Sequence, residues 1–153
     1  MKILVDTNVI LDILLEREDF YKESHVALEK AIINGDRLYF SAASVTDVYY
    51  VIKKKTGSQT IAIDAIKKMM EFLIITEVNE DSIIEALCSK INDYEDAVVD
   101  AIASRIKVDF ILTRNVSDFK HSRNNVVSPI DFFEYWLYIA FQYIIFFYLI
   151  NES

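Results

Sequence analysis

Glycine is scarce, with only Gly35 and Gly57 in 153 residues. Phosphate-cradling loops need several closely spaced glycines so that backbone N–H groups can approach a phosphate. A Walker loop and a dinucleotide-binding turn are therefore excluded, and so is a G-x-S-x-G nucleophile elbow. One proline and two glycines leave no flexible linker, so a single domain is expected, at a length that buries its own core. Cys88 stands alone, which excludes an internal disulfide and a cysteine-built zinc site. It also points to a reducing, cytoplasmic setting. His25 and His121 show no ligand spacing and support no Ser/His/Asp nucleophile set. The opening residues lack the pattern of a secretory signal.

Bases are outnumbered, 16 against 24 acids, giving a formal charge of −8 and a pI near 4.7. Such a surface repels phosphate backbones and argues against non-specific coating of nucleic acid. It leaves room for a few carboxylates gathered around a cation. The apolar residues are unevenly spread. Of the 19 residues from Phe132 to Ile150, only Glu134 and Gln142 are not apolar. Three readings of this tail are open: a helix buried against the domain or a second copy, a C-terminal membrane anchor, or an irregular extension. The first is preferred, because Trp136 to Ile150 falls short of the roughly 20 residues a membrane span needs.

Short apolar runs alternate with helical periodicity. Strands are expected at Lys2 to Val5, Arg37 to Ser41, Leu73 to Thr76, Phe110 to Thr113 and Val126-Val127. Helices are expected near Val9 to Leu14, Phe20 to Asn34, Ser44 to Lys55, Gln59 to Phe72, Asp81 to Ile91 and Glu95 to Lys107, with a last one opening at Pro129. This alternation implies parallel pairing with helices on both sheet faces. Ligands of such sheets bind outside the carboxyl ends of the strands. Asp6 and Asp118 follow predicted strands and belong at that rim.

Each acid has an ordinary explanation beside the chemical one. Asp6, in Asp6-Thr7-Asn8, is a good helix N-cap. Ser44-x-x-Asp47 approaches a capping box. Glu95 and Asp96 suit a first helical turn after a cap at Asn92 or Asp93. Asp100 shares a helix face with Asp96 but is past that turn. Asp118 suits an Asx-turn. Their joint placement is harder to explain that way, because several fall at strand ends or helix starts facing one rim. Hard divalent cations take oxygen ligands of this kind. The bases are scattered; Arg114 is singled out because it shares a turn with Asp118.

Leu4-Val5-Asp6-Thr7-Asn8-Val9-Ile10-Leu11-Asp12 resembles the opening of a PIN domain. Asp93-Tyr94-Glu95-Asp96-Ala97, followed by Ala101 and Ala103, resembles that family's third acidic motif. Phe110-Ile111-Leu112-Thr113-Arg114-Asn115 with Asp118-Phe119 resembles the fourth, and Ser41 to Tyr49 occupies the place of the second. The resemblance implies a three-layer α/β/α fold around a central, mostly parallel sheet. It implies a nuclease domain over residues 1–131, leaving 132–153 as a hydrophobic helical extension.

It also implies an endoribonuclease using Mg²⁺ or Mn²⁺, as in VapC-type toxins of type II toxin–antitoxin pairs, acting on RNA and held by a cognate antitoxin. A homodimer is expected. The implied catalytic acids are Asp6, Asp47, Asp96 and Asp118, of which Asp6, Asp96 and Asp118 bind the metal. Asn8, Thr113 and Asn115 are implied supports, with Asp100 a secondary candidate. The second motif usually carries Glu, so Asp47 is one methylene short and reaches an ion through water. The alternative is therefore a catalytically weakened PIN-like module acting through association. A magnesium phosphatase of the haloacid-dehalogenase type is disfavoured, since Asp6-Thr7-Asn8 lacks its Asp-x-Asp pair.

Overall fold

The computed structural model describes residues 1–151, with only the helical backbone described for 143–151. Five strands form one parallel sheet: β1 (Lys2–Val5), β2 (Arg37–Ser41), β3 (Ile74–Thr76), β4 (Phe110–Leu112) and β5 (Val126–Val127). Their spatial order is β3-β2-β1-β4-β5. The helices are α1 (Thr7–Leu14), α2 (Tyr21–Ile33), α3 (Ala42–Thr56), α4 (Gln59–Met69), α5 (Glu80–Leu87), α6 (Tyr94–Ile106) and α7 (Pro129–Asn151). A 3₁₀ turn covers Val116–Phe119.

Strand alternation divides the core in two. Ile3, Val5, Leu38, Phe40 and Leu112 face a cluster built by α1, α2, α3, α4 and the start of α7. Leu4, Tyr39 and Ile111 face a second cluster built by α5 and α6. Side chains of a strand alternate between faces, so both sets must be apolar when both faces are covered. The expected three-layer α/β/α architecture is what forms.

Strand order also creates the site. The chain builds outward from β1 through β2 to β3, then crosses to β4 on the other side of β1. Connections leave β1 and β4 in opposite directions. A crevice opens at their carboxyl ends, the usual ligand position in such sheets. The Asp6 amide donates to the Leu112 carbonyl at 2.9 Å and locks these two ends together.

Two local expectations are corrected. Ser44 does not cap α3. Ser41, leaving β2, does so, its hydroxyl accepting from the Ala43 amide at 3.3 Å, and Ser44 lies buried one turn later. The strand passes directly into the helix, so its last residue is the one with extended backbone and a free side-chain oxygen. The helix expected over Asp81 to Ile91 is shorter, capped by Asn79 and ending at Leu87. Of the two caps offered for α6, Asp93 serves, accepting from the Glu95 and Asp96 amides.

The tail begins inside the domain. Phe132 is fully buried in the core and meets Phe110 edge-on at 6.1 Å between ring centroids. Lys30 on α2 lies over the Trp136 ring. Farther along, Tyr138 and Phe141 are 63% and 62% exposed. Among the described residues no helix is long and apolar enough to cross a membrane. The side chains of 143–150, the distal part of the hydrophobic extension, lie outside the described residues.

Candidate active site

Asp6 is placed by two elements at once. It follows β1 and caps α1, its Oδ1 accepting from the Thr7 amide at 2.6 Å. Its Oδ2 accepts from Asn8 Nδ2 and from Thr113 Oγ1, both at 2.6 Å. Thr113 follows β4 and is fully buried. Its hydroxyl donates to Asp6 and accepts from Asn8 Nδ2 and the Asn115 amide, each at 3.0 Å. One donor and two acceptor positions are thereby used up. The Asn8 carbonyl oxygen accepts from the Arg114 amide at 3.1 Å, which fixes the orientation of its amide. The capping and chemical readings of Asp6 are thus both satisfied by one carboxylate.

Asp47 from α3, Asp96 from α6 and Asp118 from the 3₁₀ turn line the same cleft as Asp6, about 410 Å³ in volume, with Asn8 and Asn115. Asp93 and Glu95 line it too, although their positions in the sequence read as helix caps and first-turn acids. Glu95 accepts from the Thr7 hydroxyl at 3.4 Å, so it is turned toward α1 rather than toward its own helix. Asp100 is not in this cleft. Its carboxylate accepts from Asn124 Nδ2 at 2.7 Å and from the Ser122 hydroxyl, tying α6 to the loop before β5. Sharing a helix face with Asp96 does not bring Asp100 to the crevice, because the loop covers that part of the face.

Arg114 turns away from Asp118. Its Nε lies 2.7 Å from Asp12 Oδ2, and its guanidinium stacks on Phe20. Asp12 is wholly buried and also accepts from Ser24 at 2.9 Å. Sequence reasoning gave Asp12 no role. The available signal was an aspartate set among Val9, Ile10, Leu11, Ile13 and Leu14, the one polar residue in α1 after Asn8.

Residues 2–117 match the PIN domain family. The chain belongs to that family. A curated relative, ribonuclease VapC1 of Aquifex aeolicus, is 28% identical over 138 residues, covering 88% of this chain and 95% of the relative. Among solved structures, VapBC2 of Rickettsia felis bound to a promoter DNA fragment aligns at a TM-score of 0.68 and 12% identity, covering 84% of this chain and 98% of the other. A toxin–antitoxin complex from Klebsiella pneumoniae aligns at 0.63 and 22% identity, covering 82% and 96%. At these identities the structural likeness establishes the fold.

The electrostatics of this PIN cleft are those of uncompensated acid. The Asp96 carboxyl is pushed up to about 7, first by burial and then by Asp6, Asp93, Asp118 and Glu95. Glu95 is raised by burial and by Asp47, Asp6 and Asp93. Asp6 is also raised: burial outweighs the Thr113, Thr7 and Asn8 hydrogen bonds and the attraction of Arg114. Among the described residues no three His, Cys, Asp or Glu side chains form a ready metal cage. The donor chemistry nevertheless fits a hard cation. Among the described residues, six carboxylates face one cleft lined by a single basic residue, Arg17, and a divalent ion would relieve their repulsion.

Proposed function

We propose that this PIN domain is a metal-dependent endoribonuclease, the toxin of a type II toxin–antitoxin pair. The observation that carries the proposal is the crowding of Asp6, Asp47, Asp96 and Asp118 at the β1/β4 crevice, with burial raising Asp6, and burial and the neighbouring acids raising Asp96. Similarity to a relative named as a ribonuclease supports RNA as the substrate class. Similarity to toxin–antitoxin complexes supports a cognate antitoxin as partner. The proposed setting is the cytoplasm, and the proposed assembly a homodimer.

Asp6, Asp96 and Asp118 would hold Mg²⁺ or Mn²⁺. Such an ion supplies a nucleophilic water at neutral pH and steadies charge on phosphorus during in-line displacement. The chain's own part is to fix the donors. Thr113 and Asn8 hold the Asp6 carboxylate in one orientation, so its free lone pair on Oδ1 points without side-chain rearrangement. The Asp96 carboxyl, raised to about 7 among the other acids, would release its proton to solvent when a cation is bound. Asp47 is exposed and one methylene shorter than Glu, so it would support the ion through water rather than hold it.

Asp6→Ala and Asp96→Ala are each expected to abolish Mg²⁺-dependent cleavage of RNA while keeping the far-ultraviolet circular dichroism of the parent. Undiminished cleavage by both variants would overturn the assignment. RNA or antitoxin binding without cleavage in the parent protein would favour the weakened binding module instead.

A further inference from the structure

The acids that suit a cation also repel the phosphodiester they are proposed to cut, so something in the cleft must receive the strand. Among the described residues, Arg17 is the one basic residue lining the cleft. It follows α1, and its side chain is 33% exposed. Among the described residues its sole ion-pair partner is Asp12, at 3.4 Å from Nη1 to Oδ1. That contact is a hydrogen bond but a long one, and the groups at the other Asp12 oxygen lie closer, Arg114 as an ion contact without hydrogen-bond geometry and Ser24 as a donor. Arg114 Nε lies 2.7 Å from Oδ2 and Ser24 Oγ 2.9 Å from it.

One buried negative charge therefore has two guanidinium groups, and Arg114, nearer and half-buried, balances it. Arg17 is left as a net positive charge at the wall of an acidic cleft. It is oriented by Asp12, yet most of its five N–H donors are uncommitted. Its backbone has a separate duty. The Arg17 amide donates to the Asp12 carbonyl at 3.0 Å, and its carbonyl accepts from the Phe20 and Tyr21 amides where α2 begins. Changing the side chain leaves those bonds in place. A planar guanidinium held from behind is suited to a phosphate, because its fork offers two parallel N–H groups to two oxygens.

We propose that Arg17 is a substrate-binding residue that contacts a phosphate of the RNA strand entering the acidic cleft, with Asp12 as the positioning residue behind it. The proposal rests on the ribonuclease reading above. It accounts for how a protein of charge −8 admits a polyanion at one place without coating it.

The test reads binding and cleavage separately on a fluorescent single-stranded RNA oligonucleotide, with Arg17→Gln, Arg17→Met and Arg17→Lys beside the parent. Removing the charge should weaken binding about tenfold at low salt. It should also reduce the slope of log affinity against log salt by about 0.7, the share of one phosphate contact on a single strand. Turnover at saturating RNA should change less than threefold, so the loss falls on KM. Arg17→Lys should keep the salt slope and recover part of the affinity. Thermal unfolding midpoints within experimental scatter of the parent exclude a folding defect. If Arg17→Gln unfolds, Arg17→Met, which keeps the apolar stem, carries the same expectations.

Unchanged affinity and salt slope in the charge-removed variants overturn the inference, whether or not the parent cleaves. Arg17-dependent binding without any cleavage by the parent supports the phosphate contact and overturns the hydrolase reading. A parent that neither binds nor cleaves RNA overturns both.

Discussion

Asp12 and Asp96 sit on helices that begin within the same crevice, and their surroundings are opposite. Asp12 is wholly buried, with Arg114, Arg17 and Ser24 around its two oxygens. Among the described residues, Asp96 receives no hydrogen bond on its side chain, and its nearest charges are all acids. Asp100, one turn beyond Asp96, belongs with Asp12, since Ser122 and Asn124 satisfy it. A carboxylate that holds the fold or positions another side chain has its donors supplied by the protein. One left among other carboxylates has its compensation still to come, and a cation is the simplest source. Asp6 stands between the two groups: its carboxylate accepts three hydrogen bonds, all from uncharged donors, which do not cancel its charge.

The largest expected effect tests the compensated side. Asp12→Ala leaves two guanidinium groups without their buried partner and should lower unfolding stability by about 3–5 kcal/mol in urea titration. A loss below 1 kcal/mol would place Asp12 with the expendable acids and end the contrast. Thr113→Val keeps shape and removes the hydroxyl that serves Asp6, Asn8 and the Asn115 amide. A loss of about 1–3 kcal/mol is expected from the buried groups left unmade, together with slower Mg²⁺-dependent cleavage. Ser122→Ala, which touches Asp100 alone among the acids, should cost about 1 kcal/mol and leave cleavage unchanged. A matching fall in cleavage would bring Asp100 back into the site.

The smallest effect has the opposite sign. Asp96 ionises near pH 7 in the folded protein and near 3.8 in the unfolded chain. Between about pH 4 and pH 7 the folded state therefore holds a proton that the unfolded state has released. Stability falls as pH rises through that window, and the loss is complete above it. Asp6 and Glu95 act in the same direction. Without divalent ions, Asp96→Asn should be modestly stabilised relative to the parent at pH 8 and not at pH 4, measured by thermal midpoints. Adding Mg²⁺ at pH 8 should raise the parent's midpoint and narrow the gap. A parent midpoint indifferent to Mg²⁺ at pH 8 would count against a cation at this site.

Local pattern carried the elements and the candidate acids. Asp6 following β1, the helix starts at Thr7 and Tyr94, and the Phe110 strand followed by a polar turn are all contiguous signals, so spacing and capping chemistry expose them. Arg17, Asp12 and the inward turn of Glu95 were not legible. The partners of Asp12 and Glu95 lie 12 to 102 residues away in Ser24, Arg114 and Thr7, and Arg17 lies in a loop whose path no periodicity describes. Ser44 was misread for a related reason. Two serines three apart are equally good caps on paper, and only the β2-to-α3 junction selects Ser41.

By itself, the sequence determined the alternation of strands and helices, and hence a parallel sheet covered on both faces, because that follows from nearest-neighbour pattern and burial. It also determined which acids could meet, since strand ends of one parallel sheet share a rim. Tertiary structure decided which acids do meet and which are neutralised. Asp96 and Asp100 have the same composition and the same helix face. One opens on a crevice made by the crossing from β3 to β4, and the other closes on the Ser122–Asn124 loop. Charge compensation depends on distances of a few ångströms between distant parts of the chain. Folding sets those distances, and no local pattern encodes them.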